Sequence, residues 1–169
     1  MDLQKRASGI EMILSDVDGV LTDGRLIFDA LGNEIKCFHA HDGLGIRIWM
    51  DKGYRFGFIT RRCTEVVRRR AEELRIDEVF QGVSDKSTLL EEICHKYSIR
   101  PDQVAFIGDD LVDYKIMRLV GFAAAPHNAV EEIQKIAHLV TRQPGGQGAV
   151  REVIEFLLKS RGEWQNFPF

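Results

Sequence analysis

The sequence has few cysteines, no excess of basic residues and no internal repeat. Its 169 residues include three cysteines, Cys37, Cys63 and Cys94, and none of them has CxxC spacing. An odd number of scattered thiols favours reduced cysteines in a cytoplasmic protein over a disulfide framework. The formal net charge of -3 argues against a general binder of nucleic acids or membrane surfaces, because such proteins normally carry a basic surplus.

Long apolar runs are also missing. No run reaches the length of a transmembrane helix, and the N-terminal stretch MDLQKRASGIE lacks the apolar core of a signal peptide. We therefore expect no membrane segment. The 169 residues, of which 44% are hydrophobic and 29% charged, fit one domain with a sizeable core, and we assign residues 1–169 to that domain.

Strand-like apolar stretches alternate with helix-like stretches along the chain. The clearest strand-like stretches are residues 11–16, 54–60, 104–108 and 122–124. This alternation predicts an α/β fold with a doubly wound parallel sheet and helices on both faces. Ligands bind such sheets at the carboxyl ends of the strands. A further prediction is a protruding β-hairpin at about residues 24–38, where two apolar runs flank a turn-forming stretch.

Polar side chains follow the predicted strands or begin the helices after them. They are Asp16, Asp18, Thr60, Lys86, Asp109, Asp110 and Asp113. Carboxylates placed this close together repel one another, and burial raises the penalty, so the set needs a cation. Oxygen ligands suit Mg²⁺, which keeps several waters in such sites and commonly accepts a phosphate oxygen. The pattern therefore indicates phosphoryl-transfer chemistry.

The same residues suit a covalent mechanism. A carboxylate such as Asp16 can attack phosphorus, and Asp18 can protonate the leaving alkoxide and later deprotonate water. The Thr60 hydroxyl and the Lys86 ammonium are groups that hold a phosphoryl group. The aspartates alone are explained by turn or helix-capping chemistry, as Asp109 and Asp110 would be before a helix, and a lone Lys86 before a helix is usually solvated. Their joint occurrence in this order favours catalysis.

These motifs resemble the four-motif signature of the haloacid dehalogenase superfamily phosphatases. They read Asp16-Val-Asp18-Gly19-Val-Leu-Thr22, Phe58-Ile59-Thr60, Lys86, and Gly108-Asp109-Asp110-Leu-Val-Asp113. The resemblance implies that Asp16 is the nucleophile, Asp18 the acid and base, and Thr60 and Lys86 the phosphoryl contacts. It also implies that Mg²⁺ is bound by Asp16, the backbone carbonyl of Asp18 and Asp109, with Asp110 or Asp113 in support.

Finer features resemble one family within that superfamily, the capless phosphatases of 3-deoxy-D-manno-octulosonate (KDO) 8-phosphate, which act in lipopolysaccharide biosynthesis. The features are GRLIFDALGNEIKCF, HDGLGI, GDDLVDYKIM, GGQGAVRE and Arg62. This second resemblance implies a sugar-acid phosphate as substrate. The substrate contacts that it implies, besides Asp18, Thr60 and Lys86, are Arg62, His41, Asp42 and Gly146. Arg61 departs from the family, which usually has Gly at that position.

Three other functions remain open. A related phosphatase acts on 2-keto-3-deoxy-D-glycero-D-galacto-nononate (KDN) 9-phosphate and typically has Glu at the position of Arg62, so Arg62 favours the octulosonate. A receiver domain of a signalling relay uses similar groups, but it has its acidic pair on the first strand and its acceptor aspartate on a middle strand. A non-catalytic tetramerisation module should have lost one of the catalytic residues, and none is lost.

The segments between the motifs are too short for a cap domain, so another element must exclude water from the site. The predicted hairpin is apolar on both faces, with Leu26, Ile27, Phe28, Ile35 and Phe38. Because an isolated hairpin is marginal in water, we expect it to pair with copies of itself, and the resemblance implies a homotetramer. The tail at residues 162–169, with Trp164, Phe167 and Phe169, is expected to dock near the site of a neighbouring subunit.

Overall fold

A computed structural model of the chain describes residues 2–165 and 167. Its strands are β1 (Met12–Ser15), β2 (Ile27–Phe28), β3 (Glu34–Ile35), β4 (Arg55–Ile59), β5 (Glu78–Phe80), β6 (Val104–Ile107), β7 (Phe122–Ala125) and β8 (Leu139–Val140). Its helices are α1 (Leu3–Ala7), α2 (Ala40–Asp51), α3 (Glu65–Leu74), α4 (Leu89–Tyr97), α5 (Tyr114–Leu119), α6 (Glu131–Ile136) and α7 (Ala149–Ser160). Short 3₁₀ turns precede α4, β6 and α5 at Lys86–Thr88, Pro101–Gln103 and Leu111–Asp113.

Six strands form one sheet in the order β5-β4-β1-β6-β7-β8, and all neighbouring pairs are parallel. The chain builds outward from β1 first through β4 and β5, and then in the other direction through β6, β7 and β8. The carboxyl ends of β1, β4 and β6 therefore lie side by side where the winding reverses, which is where such sheets bind ligands. The predicted α/β fold class is confirmed.

The sheet separates two hydrophobic cores. Successive side chains of a strand point to opposite faces, so in β1 Ile13 packs with α2 and α7, whereas Met12 and Leu14 pack with α4 and α5. Both faces of β1 and β6 are fully buried. This double burial explains why these strands read as continuous apolar runs rather than alternating ones.

The hairpin β2–β3 is an antiparallel pair apart from the main sheet. Ile27 pairs with Ile35 on one face and Phe28 pairs with Glu34 on the other. The exposed apolar side chains of the hairpin are Leu26, Ile27, Phe28, Leu31 and Ile35. Glu34, Lys36 and Phe38 are less exposed than the residues between them. Both faces therefore carry apolar side chains, as expected, and the face of Phe28 also carries Glu34 and Lys36, whose ammonium contacts Asp18 in the loop after β1.

The segments between the motifs are short, as expected. In the described part of the chain, only the hairpin and α2 lie between β1 and β4, and only α3 and β5 lie between β4 and Lys86. No cap domain is inserted in either of these described segments. Within residues 2–165 and 167, no helix is long and apolar enough to cross a membrane.

Candidate active site

Asp16 lies at the point where β1 ends between β4 and β6. Its N–H donates to the carbonyl of Ile107, and this bond continues the pairing of β1 with β6. Its Oδ1 accepts from the N–H of Val17 at 2.7 Å. The loop beyond it closes on the Thr22 hydroxyl, which accepts from the N–H groups of Gly19 and Gly24 at 3.3 and 3.2 Å. This buried loop fixes the position of the predicted nucleophile.

Lys86 joins two carboxylates beneath this loop. Its Nζ lies 2.8 Å from Asp16 Oδ2 and 2.7 Å from Asp113 Oδ1, and its side chain is 1% exposed. The Asp85 carboxylate accepts from the N–H of Ser87 at 3.1 Å, which caps the 3₁₀ turn that begins at Lys86. A buried ammonium is stable only where anions match it. The buried Lys86 ammonium is therefore stable here because Asp16 and Asp113 neutralise it.

Asp109 approaches the first loop from the end of β6. A Cβ built on Gly19 would lie 2.6 Å from Asp109 Cγ, and Gly19 has a φ of +88°. Both the backbone conformation and the close approach require glycine there. The N–H of Asp109 donates to Asp113 Oδ2 at 3.0 Å, so Asp113 holds Lys86 with one oxygen and the Asp109 backbone with the other.

The carboxylates fit a divalent cation. Oxygens of Asp16, Asp109 and Asp113 lie within 4.8 Å of one another. The pKa of Asp16 is raised to about 7, mainly by burial and secondly by repulsion from Asp113. The pKa of Asp109 is raised to about 8, again mainly by burial and secondly by repulsion from Asp16. Asp109 Oδ1 is buried without a hydrogen-bond partner among the described residues, and a cation bound there would offset these penalties.

Asp110 lies outside this cluster. It is exposed, and its Oδ1 accepts from the N–H of Leu111 at 2.7 Å, which caps the turn before α5. It still lines the rim of the pocket next to the cluster. The geometry thus groups Asp113 rather than Asp110 with Asp16 and Asp109, and a ligand role for Asp110 stays a prediction.

A pocket of about 260 Å³ opens above the cluster. Its lining residues are Asp16, Asp18, Gly24, Thr60, Arg61, Arg62, Asp109, Asp110 and Val112. Thr60 is buried, and its hydroxyl accepts from the N–H of Arg62 at 3.2 Å. Arg61 is exposed at the mouth of the pocket. The strand-end residues predicted from the sequence therefore do converge, with Lys86 buried below them.

Two further residues reach this site from the hairpin. Lys36 Nζ donates to Asp18 Oδ1 and lies 3.0 Å from Glu34 Oε1. Glu34 in turn accepts from Arg62 at 2.8 Å. Sequence reasoning did not identify Lys36 or Glu34. The available signal was the two-residue period of the hairpin, which places Glu34 and Lys36 on one face and Ile35 on the other.

The remaining predicted substrate contacts lie apart from this pocket. Asp42 is buried, and its Oδ1 accepts from the N–H of Arg151 at 2.8 Å in the first turn of α7. Burial raises its pKa. His41 lines a separate pocket of about 350 Å³ that Arg151 also lines. Asp42 thus acts as a cap for α7 in this chain, and substrate contacts by His41 and Asp42 stay predictions.

Gly146 packs behind the loop after β1. Its N–H donates to the carbonyl of Val20 at 3.0 Å, and a Cβ built on it would lie 2.6 Å from the carbonyl carbon of Thr22. A Cβ built on Gly145 would likewise lie 2.6 Å from the carbonyl carbon of Gly19. The glycines thus allow two loops to pack backbone against backbone, while a substrate contact by Gly146 stays a prediction.

The chain is similar in sequence to one group of known proteins. A family model of haloacid dehalogenase-like hydrolases matches residues 59–154. The 3-deoxy-D-manno-octulosonate 8-phosphate phosphatase KdsC of Yersinia pestis is 40% identical over 157 residues, which cover 93% of this chain and 84% of the relative. The chain belongs to the KdsC phosphatase family. The KdsC protein of Escherichia coli K12 is 38% identical over 162 residues, covering 96% of this chain and 86% of the relative.

Solved structures of KdsC proteins have the same fold. The phosphatase from Yersinia pestis matches with a TM-score of 0.93 at 38% identity, covering 95% of this chain and 87% of that chain. The phosphatase from Moraxella catarrhalis, in complex with a magnesium ion, a phosphate ion and KDO, also matches with a TM-score of 0.93 at 38% identity. That match covers 96% of this chain and 93% of the other. The predicted family, haloacid dehalogenase-like fold and phosphatase class are confirmed.

Proposed function

We propose that this protein releases phosphate from KDO 8-phosphate with the help of Mg²⁺, as a step of lipopolysaccharide biosynthesis. The observation that carries the proposal is the Lys86-centred cluster, which brings Asp16, Asp109 and Asp113 together at the winding reversal of the sheet. The name of the KdsC relatives supports the substrate, and the magnesium, phosphate and KDO in the Moraxella catarrhalis structure support the cofactor.

In the first step, the Asp16 carboxylate attacks phosphorus and the bond between phosphorus and the sugar oxygen breaks. Asp18 gives a proton to the departing alkoxide, which leaves as the sugar-acid alcohol. The phosphoryl group is then an aspartyl-phosphate on Asp16. Thr60 and Lys86 hold the equatorial oxygens, where negative charge is spread during the transfer.

In the second step, water attacks the phosphorus of the aspartyl-phosphate. Asp18, which lost its proton in the first step, removes one from that water, and the bond between phosphorus and Asp16 breaks. The products are inorganic phosphate and the regenerated Asp16 carboxylate. Burial of the cluster limits competing water and strengthens each electrostatic contact.

The residues that would hold Mg²⁺ are Asp16, the backbone carbonyl of Asp18 and Asp109, with Asp113 in support. When bound, the ion neutralises negative charge on the phosphoryl group and on the carboxylates. This chain contributes the arrangement of those carboxylates. Asp113 fixes the positions of Lys86 and Asp109, because its Oδ1 accepts from Lys86 and its Oδ2 accepts from the N–H of Asp109.

Substrate recognition is assigned to the mouth of the pocket. Arg62 is one-third exposed there and is oriented by Glu34 at 2.8 Å. A cation at this position suits the carboxylate of a sugar acid, and it distinguishes the chain from the KDN 9-phosphate phosphatases, which typically have Glu. KDN 9-phosphate is therefore the alternative substrate with the same chemistry.

Assembly through the hairpin completes the proposal. The side chains of Leu26, Phe28 and Leu31 are 55%, 54% and 88% exposed, which is an apolar surface that a second copy would cover. We assign this surface to a homotetramer. The first part of the tail packs against the domain of its own chain, since the Trp164 ring centroid lies 4.8 Å from the guanidinium carbon of Arg151. A contribution of the tail to a neighbouring site stays a prediction, and Phe169 lies outside the described residues.

The test compares kcat/KM for KDO 8-phosphate, KDN 9-phosphate and simple sugar phosphates, each with Mg²⁺. We expect the highest value for KDO 8-phosphate, and at least a tenfold preference over KDN 9-phosphate is on the order of what one charged contact provides. The Arg62→Glu variant should reduce or reverse this preference. Equal values for all sugar phosphates would contradict the substrate assignment and leave the phosphatase assignment intact.

A further inference from the structure

The two carboxyl oxygens of Asp18 lie in different surroundings. Oδ1 accepts a hydrogen bond from Lys36 Nζ. Oδ2 is buried and has no hydrogen-bond partner among the residues that the structure describes. Asp18 also lines the pocket that contains Asp16 and Thr60. One oxygen of the predicted acid is therefore held by Lys36, while the other has no partner in the described part of the chain.

Lys36 reaches Asp18 from the hairpin and is buried there. Its side chain is 1% exposed, and its second carboxylate partner is Glu34 at 3.0 Å. Glu34 also lies 2.8 Å from Arg62. Four side chains of alternating charge therefore contact one another in a row from the loop after β1, through the hairpin, to the loop after β4. They are Asp18, Lys36, Glu34 and Arg62.

Attachment of the hairpin does not by itself explain this arrangement. The contact of Glu34 with Arg62, whose side chain is 36% exposed, already joins the hairpin to the loop after β4. Lys36 has instead given up its hydration in order to contact Asp18. Desolvating an ammonium carries a large free-energy penalty, whereas an exposed ion pair would hold the hairpin without that penalty. The burial of Lys36 therefore indicates a role at Asp18.

We propose that Lys36 is a positioning residue for Asp18. The inference rests on the proposed function, in which Asp18 protonates the leaving oxygen of the substrate. Lys36 holds Oδ1, so that Oδ2 faces that oxygen. A carboxyl group free to rotate would present the correct oxygen for only part of the time, and small errors of geometry reduce rates strongly. Glu34 keeps Lys36 in place, and the hairpin is thereby part of the active site of its own chain.

The choice of leaving group tests this role. A sugar alkoxide must be protonated as it departs, whereas p-nitrophenolate is a stable anion that leaves without an acid. With Mg²⁺ present, we expect Lys36→Met to lower kcat/KM for KDO 8-phosphate by about 10- to 100-fold. The same variant should lower kcat/KM for p-nitrophenyl phosphate by less than about threefold. A loss of binding or of folding would lower both values together.

Matched variants separate positioning from other effects. Lys36→Arg keeps the charge and should recover part of the activity on KDO 8-phosphate. Lys135→Met removes an exposed lysine that pairs with Glu131 on α6 at 2.6 Å, and it should leave the activity on both substrates unchanged. In an Asp18→Asn background, Lys36→Met should cause no further loss, because residues that act through one another are not additive. Glu34→Gln should reproduce a weaker form of the Lys36→Met effect and serves if Lys36→Met does not fold.

Three results would overturn the inference. They are equal losses on the two substrates in folded Lys36→Met, a rise in KM for KDO 8-phosphate with kcat unchanged, or a further loss in the Asp18→Asn background. The second result would make Lys36 a substrate contact instead. If the wild-type protein hydrolyses neither substrate with Mg²⁺, the proposed function fails and the inference fails with it. Activity of the wild-type protein thus distinguishes the two failures.

Discussion

Lys86 and Asp113 form a buried ion pair at 2.7 Å, and neither side chain is more than 1% exposed. Lys86 also contacts Asp16, so one ammonium neutralises parts of two carboxylates that would otherwise repel each other. We expect Lys86→Met to lower kcat/KM by about a thousandfold, because the charge of the transferring phosphoryl group loses its fixed cation. Stability should fall by about 3 kcal/mol, since the acids lose a buried partner.

Phosphate release and urea unfolding check this prediction. Lys115→Met provides the control, because Lys115 forms an exposed ion pair with Asp85 at 2.7 Å. That variant should change stability by less than about 1 kcal/mol. A Lys86→Met protein with wild-type turnover would show that Lys86 has no catalytic role.

Gly19 gives a second prediction, because it leaves space for Asp109. In Gly19→Ala, the new methyl group would overlap the Asp109 carboxylate and displace it. We expect kcat/KM to fall by about a hundredfold, which is the order of loss that a misplaced catalytic group causes. The concentration of Mg²⁺ needed for half-maximal activity should rise as well.

Gly53 provides a matched control for the strain of the backbone. Its φ of +91° is close to the +88° of Gly19, but no atom lies within 4 Å of a Cβ built on it. Gly53→Ala should therefore lose about 1 kcal/mol of stability through strain alone and keep its activity. Similar kinetic losses in both variants would mean that the overlap with Asp109 does not matter.

The hairpin surface predicts an effect on assembly. Replacing Leu26 and Phe28 by Ser removes two side chains that are more than half exposed and whose burial in an oligomer would stabilise it. We expect the double variant to sediment as smaller species than the wild-type protein at the same concentration. Analytical ultracentrifugation measures this, and Leu119→Ser on α5, where the side chain is 55% exposed, is the control. Wild-type protein that is monomeric throughout would contradict the assembly proposal.

His138 predicts a pH dependence of stability. Burial and the nearby Arg6 lower its pKa below the ordinary 6.5, and its neutral Nδ1 accepts from the N–H of Ala123 at 2.8 Å. Because the folded-state pKa is the lower one, the unfolded chain binds the proton more readily. The stability that neutral His138 contributes is therefore fully present above the pKa of histidine in the unfolded chain. It is lost as the pH falls from that value toward the lower pKa of the folded state.

The variant His138→Asn isolates this contribution, because the Asn side-chain oxygen can accept the same bond but does not titrate. The difference in unfolding free energy between the wild-type protein and the variant should change in favour of the variant below about pH 6.5. Urea unfolding at several pH values measures it. Parallel curves for the two proteins would rule out a role for His138.

Much of the site follows from the sequence because it is built at strand ends. Asp16, Thr60 and Asp109 directly follow or nearly follow buried parallel strands, whose carboxyl ends must meet at one edge of the sheet. The glycine at position 19 and the apolar runs of β1 and β6 agree with this geometry. Local pattern and tertiary fold therefore give the same result for these residues.

Contacts between distant segments were not predictable in this way. Lys36 is one lysine in a hairpin, and nothing local shows that its ammonium meets Asp18, eighteen residues earlier. Likewise, nothing local shows that the Asp42 carboxylate caps α7, which begins more than a hundred residues later. Such pairings depend on how whole elements pack, and that information is spread over the two cores rather than held in a motif.

The most direct test of the account measures phosphate release from KDO 8-phosphate by the wild-type protein and by Asp16→Asn. Asp51→Asn, which alters a surface carboxylate paired with Arg47 at 3.1 Å, serves as the control. We predict that wild-type activity disappears with EDTA and returns with Mg²⁺, that Asp16→Asn loses at least about a thousandfold, and that Asp51→Asn is unaffected. Full activity of Asp16→Asn, or activity that EDTA leaves unchanged, would contradict the account.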